Sequence, residues 1–269
     1  MTVTTVDLGA DRLHDLFSAI GAGAVERERT GERPFAAIDL IRDARLGALR
    51  VPAEDGGGGA SLHALFATVI ALATVDVNVA HILRGHFAHV EERLRLGGEE
   101  RTRVIDLACS GKLVGNASTE LGTTTVGEFT WQTRLTPHGN ELRLNGTKYF
   151  TTGTLYADYA EVLASDHTGA TVLILVPTDR AGVTVIDDWD GMGQRATGTG
   201  TAVFDDVVVY PEEVLPLPPV VDGGDPAPMY LSGAFFQLYV TALIVGVLHA
   251  LRDDAVAHLH LRSRSFAWA

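Results

Sequence analysis

The sequence predicts an α+β chain in three consecutive parts: an N-terminal helical domain over residues 1–112, a central β-domain over 113–214, and the start of a C-terminal helical domain over 215–269. Three observations predict it. Apolar residues recur at helical spacing before residue 112, the period shifts toward two between Leu113 and Val214, and an uncharged apolar run occupies Met229 to Leu251.

Each element follows from a local pattern. Leu8, Leu13, Leu16, Phe17 and Ile20 mark one helical stretch, and Leu62, Leu65, Phe66, Val69, Ile70 and Leu72 mark another. Gly56 to Gly59 breaks the pattern as a loop, because consecutive glycines have poor helix propensity. In the central part, Asn145-Gly146 reads as a hairpin turn between Leu142-Arg143-Leu144 and Lys148-Tyr149-Phe150. Short strands are expected at Tyr159–Ala164, Thr171–Val176, Val183–Ile186 and Ala202–Val209, giving a β-barrel-like domain. Pro211, Pro216, Pro218 and Pro219 with Gly223-Gly224 make a linker, after which helix resumes by Met229 and runs to the end. The Met229–Leu251 run is long enough to cross a bilayer. Its Ser232, Gln237, Tyr239, Thr241 and His249, with no basic cluster beside it, favour instead a helix buried on all sides.

Composition narrows the class. With 46% hydrophobic and 20% charged residues the chain can bury a substantial core without disulfides. Its single cysteine, Cys109, allows no intrachain bridge and suits a reducing compartment. A net charge of -13 argues against nucleic acid or an anionic membrane as partner. The N-terminus shows no basic region followed by an apolar one, so a cytoplasmic location is expected.

Three polar or glycine-rich segments carry the functional signal: Gly115-Asn116-Ala117-Ser118-Thr119-Glu120, then Gly146 to Gly153, then Asp188-Trp189-Asp190-Gly191-Met192-Gly193-Gln194-Arg195. Each closes a β-like run, where short polar side chains and free N–H groups can face a planar, electron-rich ligand such as a flavin. A flavin that is reduced and partly anionic needs hydrogen-bond donors at its pyrimidine edge and a hydroxyl or N–H near N5, and apolar cover over its dimethylbenzene end. Asn116, Ser118, Thr119, Thr151 and Thr152 are the polar candidates, and Phe150 and Trp189 the aromatic cover.

In their order and spacing these segments resemble the acyl-CoA dehydrogenase fold family, and within it the reduced-flavin monooxygenase branch similar to dibenzothiophene and dimethylsulfone monooxygenases. The resemblance covers about Leu46 to the last residue. It also uses Leu49-Arg50-Val51-Pro52-Ala53-Glu54-Asp55-Gly56-Gly57, and Thr197-Gly198-Thr199-Gly200-Thr201 followed by Phe204-Asp205-Asp206-Val207. It implies an acyl-CoA dehydrogenase-like architecture, reduced FMN delivered by a separate flavin reductase, or FAD, as cofactor, and a small-molecule substrate. It also implies a homo-oligomer, a tetramer in the family. His86 resembles the histidine that this branch places over the flavin, Asn116 and Thr152 would position the C4a–N5 edge, and Arg264 would reach a flavin phosphate. Arg262-Ser263-Arg264-Ser265-Phe266 resembles a turn after which the family carries more helices. The expectation there is an incomplete C-terminal domain, either truncated or completed by another polypeptide in a homo- or hetero-oligomer, with association or instability following from the exposed apolar helix.

The choice of chemistry turns on a carboxylate. A dehydrogenase of this family takes a proton from the carbon beside a thioester carbonyl with a glutamate. One of the two places where the family keeps that glutamate falls near Phe236 and Gln237, and no acidic residue occurs between Asp225 and Asp253. A two-component flavin monooxygenase is therefore expected, with an FAD-dependent acyl-CoA dehydrogenase and a non-catalytic subunit of a hetero-oligomer as alternatives. His81, His86, His89 and Glu92 form no His-Glu-x-x-His motif and no pair of Glu-x-x-His motifs, so no metal centre is expected.

Overall fold

Among the described residues, seven α-helices fill the N-terminal part: α1 (Ala10–Gly21), α2 (Ala24–Thr30), α3 (Phe35–Asp43), α4 (Leu62–Val75), α5 (Val77–Ile82), α6 (Arg84–Leu96) and α7 (Gly98–Cys109). They are seen in a computed structural model that describes residue 6 and residues 8–122, 131–217 and 227–263. Local chemistry sets their ends. The Ser61 hydroxyl accepts from the Ala64 N–H at 3.1 Å and starts α4. Asp76 separates α4 from α5: its carboxylate accepts from the N–H groups of Asn78 and Val79 at 2.9 and 3.1 Å and pairs with Arg27 at 2.7 Å. That break turns the chain so that α5 and the start of α6 run toward the sheet.

Among the described residues the central part is one eight-stranded mixed sheet. Its strands are β1 (Val114–Ala117), β2 (Arg134–His138), β3 (Glu141–Lys148), β4 (Tyr159–Ser165), β5 (Thr171–Pro177), β6 (Val183–Ile186), β7 (Thr201–Val209) and β8 (Val214–Leu215). The order is β6-β7-β3-β2-β4-β5-β8, with β1 parallel beside β4 so that Asn116 lies opposite Glu161. The expected barrel-like domain is this mixed sheet, whose hydrogen-bonded path among the described residues runs from β6 to β8. The four later strands lie where the alternation places them.

Asn145-Gly146 is a correction. The β2–β3 hairpin turns at Gly139-Asn140, where His138 pairs Glu141, and Asn145-Gly146 lies inside β3 at a shift in register with β7. A bulge uses the same residue types as a turn, for different reasons. The Asn145 side chain accepts from the Asp206 N–H at 2.8 Å, and a Cβ on Gly146 would sit 2.6 Å from the Thr133 Cα.

Two cores result. Phe17, Ile20, Ile38, Ile41, Leu65, Leu72 and Phe87 pack together with Tyr239 and Leu243 of α8 (Ala227–Ser263). Leu135, Leu144, Val162, Ile174, Phe204 and Val207 pack in the sheet. The Tyr239 hydroxyl donates to the Ala80 carbonyl at 2.9 Å and fixes α8 on α5. Helix α8 is long and apolar enough to cross a membrane, and it leaves Leu238, Ile244, Leu248, Leu251, Leu259 and Leu261 exposed. Tyr239 and Leu243 are the side packed on this chain's own helices.

Candidate functional site

The end of β1, the loop after β3 and the loop before β7 meet the α5–α6 junction at one edge of the sheet. Gly153 sits under Ile82 with φ +82; a Cβ there would be 2.4 Å from the Ile82 carbonyl oxygen, so only glycine lets this loop dock on α5. Gly85 faces Asn116, with the Asn116 N 3.2 Å from where a Cβ would stand. The Thr154 hydroxyl donates to the Asn116 carbonyl at 3.1 Å. The His81 Nδ1 is hydrogen-bonded to the Gln194 Oε1.

This edge holds most of the expected polar residues. Thr151 is fully buried, and both its N–H and its hydroxyl donate to the Gly200 carbonyl, at 3.0 and 2.9 Å. Thr152 lies beside it in a chain of hydroxyls: Thr152 to Thr199 at 3.0 Å, Thr199 to Thr197 at 2.6 Å, and Thr197 to the Gln194 carbonyl at 2.9 Å. The same carbonyl accepts from the Trp189 Nε1 at 3.1 Å. Phe150 is half exposed in the left-handed region at φ +57, with its ring edge-on to Trp189 at a centroid distance of 6.1 Å. A bulky residue in that region costs about 1–3 kcal/mol and is characteristic of a functional loop. Ser118 is half-buried and Thr119 exposed; the Thr119 carbonyl accepts from the Tyr149 N–H at 2.9 Å, which brings the end of β1 alongside β3. Arg264 lies outside the described residues.

His86 requires correction. It is fully buried, its Nε2 donates to the Gly47 carbonyl at 3.0 Å, and its Nδ1 accepts from the Val114 N–H at 3.3 Å. Both ring nitrogens are thus engaged by backbone. Burial lowers its pKa to about 4, the Gly47 bond acting in the opposite sense. His86 is a tie between the helical part and β1.

Residues that spacing alone did not single out sit closer to the edge. His81 is held to Gln194, and its pKa is lowered to about 4 by burial and by the charge of Arg84. Its Nε2, the Arg84 Nε and the Asn116 Oδ1 are buried without a hydrogen-bond partner among the described residues. The Arg84 guanidinium stands 5.5 Å from the centroid of the Phe236 ring, an aromatic–cation contact. Beside Asn116, Glu161 pairs with the buried His89; burial acts to raise the Glu161 pKa, but His89 outweighs it and leaves it lowered. A signal for His81 exists in the sequence: Asp76, five positions earlier, is a helix-capping residue type and starts the short helix that carries His81. A separate surface cavity of about 400 Å³, lined by Arg103, Leu107, Lys112, Tyr159 and Glu213, contains none of the expected site residues.

Unpartnered polar atoms, a run of hydroxyls and two edge aromatics fit a flat heteroaromatic ligand with both polar and apolar margins. Comparison with known proteins agrees. Residues 116–207 match the acyl-CoA dehydrogenase middle domain. The chain is 31% identical to a dibenzothiophene monooxygenase of Rhodococcus erythropolis, over 90% of this chain and 60% of the relative. It is 28% identical to the probable FMNH2-dependent monooxygenase SfnC of Pseudomonas putida, over 90% of this chain and 59% of the relative. Among solved structures, the FMN-bound TdsC of Paenibacillus sp. A11-2 superposes with a TM-score of 0.81 at 30% identity, covering 92% of this chain and 64% of that one. The chain therefore spans about 60% of the length of the curated relatives it matches. With its N-terminal helices, mixed central sheet and C-terminal helix, it has the acyl-CoA dehydrogenase-like fold, and its likeness is to monooxygenases that share that fold.

Proposed function

We propose that this chain binds reduced FMN, received from a separate flavin reductase, and acts in a two-component monooxygenase that inserts one oxygen atom of O2 into a small-molecule substrate. A soluble cytoplasmic protein that associates into a homo-oligomer, or with a longer relative, belongs to the same reading. The observation that carries it is the convergence of Asn116, the Thr152 hydroxyl chain, Phe150 and Trp189 on one sheet edge, with the Asn116 Oδ1 buried and unpartnered. Likeness to an FMN-bound structure and to an FMNH2-dependent relative supports FMN over FAD.

Reduced flavin, when bound, supplies the two electrons that allow one oxygen atom to reach the substrate while the other leaves as water. The chain's own residues would bind, orient and shield it. Asn116 and Thr152 would hydrogen-bond the polar edge, with Ser118 and Thr119 beside them. Thr151 fixes the loop through Gly200. Phe150 and Trp189 would cover the apolar end and keep water away. At Phe236, one of the two places where a dehydrogenase of this fold would keep its glutamate, an aromatic ring contacts Arg84 instead.

Anaerobic titration with dithionite-reduced FMN tests the reading. Thr152→Val is expected to weaken binding about fivefold through loss of one hydrogen bond. Unchanged affinity would remove Thr152 from the site, and absence of binding by the unaltered chain would remove the flavin.

A further inference from the structure

The hydroxyl chain behind Thr152 has a direction, and that direction dictates what the site can offer a ligand. The Gln194 carbonyl carries no proton, so at 2.9 Å the Thr197 hydroxyl must donate to it; the reverse would set two lone pairs against each other. A hydroxyl has one proton. With its proton on Gln194, Thr197 can only accept across the 2.6 Å contact from Thr199. Thr199, having donated to Thr197, can only accept across the 3.0 Å contact from Thr152. The Thr152 proton therefore points into the protein, and its oxygen presents lone pairs alone. The neighbouring hydroxyls do not restore a donor: Thr151 donates to Gly200 and Thr154 to the Asn116 carbonyl.

Gln194 is fixed as the origin of this polarity. Its backbone lies in the left-handed region at φ +51, its carbonyl also accepts from the Trp189 Nε1, and its side chain is held by His81. Thr197 and Thr152 are buried and Thr199 half-buried, which limits competition from solvent for the same protons.

We propose that Gln194, Thr197 and Thr199 form a polarised relay that makes Thr152 an obligate acceptor, and that this sets the site's preference for a reduced over an oxidised flavin. The inference rests on the flavin reading above. The two oxidation states differ at N5: the reduced ring carries N5–H, a donor, and the oxidised ring carries only a lone pair. An acceptor matches the first and repels the second. Gln194, Thr197 and Thr199 act through Thr152 and are positioning residues.

The test compares FMN with dithionite-reduced FMN, titrated anaerobically against the unaltered chain, Thr199→Val and Thr199→Ser. The unaltered chain is expected to bind the reduced form more tightly. In Thr199→Val the Thr152 hydroxyl loses its acceptor, turns toward the ligand and donates, so the reduced-to-oxidised affinity ratio falls about fivefold. Thr199→Ser keeps the hydroxyl and restores the ratio, which a merely structural role for Thr199 would not predict. Thr197→Val, one link further from the ligand, lowers the ratio in the same direction and serves where Thr199→Val fails to fold. Equal affinity for both forms in the unaltered chain, or a ratio untouched by the valine variants, overturns the relay while leaving the flavin site standing. Failure of both forms to bind the unaltered chain overturns the flavin reading itself, and the relay with it.

Discussion

Lys148→Met is expected to destabilise the chain by about 3–5 kcal/mol, the usual cost of leaving one partner of a buried ion pair uncompensated. Lys148 is fully buried at the end of β3, and its Nζ lies 2.7 Å from the Glu120 Oε1, 3.3 Å from the Ser118 carbonyl and 4.5 Å from the centroid of the Trp131 ring. Glu120 also accepts from the N–H groups of Gln132 and Thr133 at 2.6 and 2.9 Å. Burial lowers the Lys148 pKa and acts to raise that of Glu120, but the lysine and the two N–H groups outweigh it and leave Glu120 lowered. Removing the ammonium leaves a carboxylate in a site too dry to hold it. Because the pair anchors the segment carrying Ser118 and Thr119, flavin affinity should fall with stability. Urea denaturation of Lys148→Met, Glu120→Leu and the double variant measures the effect. The double variant should recover much of the loss; a single variant costing under about 1 kcal/mol would show that the pair is a minor tie.

The second large effect is a loss of stability in mild acid. The His86 pKa is lowered from 6.5 to about 4, so between those values an unfolded chain binds a proton that the folded chain refuses. The unfolded state then holds more protons, stability rises with pH, and it is lost as pH falls below 6.5. For this shift the loss between pH 7 and pH 5 is about 2 kcal/mol. The geometry gives the reason: a second ring proton would have to sit on Nδ1, which already accepts the Val114 N–H. His81 adds a loss of the same sign over the same window. Glu161, whose pKa is lowered, contributes only at still lower pH, as acid protonates it. Urea midpoints between pH 7 and 5 for the unaltered chain and His86→Gln check this. The variant should show the shallower pH dependence; parallel curves would acquit His86.

Much of the architecture was legible because periodicity reports burial, and burial is what helices and strands share with their sequences. Tyr159, Thr171, Val183 and Thr201 begin strands within a residue of where the alternation places them. Asn145-Gly146 misled because a bulge and a turn both require small, adaptable residues, and only the position of β7 distinguishes them. His86 misled for a related reason. A histidine on a helix announces a titratable ring, but not which neighbours will use its two nitrogens; here Gly47 and Val114, both distant in sequence, take them.

By its own sequence this chain determined its fold class, its order of helices and strands, and the three segments from which the candidate site is built, since these depend on residue type and local spacing. Tertiary structure alone decided that Asn116 stands against Gly85, that His81 holds Gln194, and that the Thr152 proton points inward to Thr199. The physical reason is the same in each case: a hydrogen bond has a direction and a partner, and both are fixed only when segments remote in the chain are packed into contact.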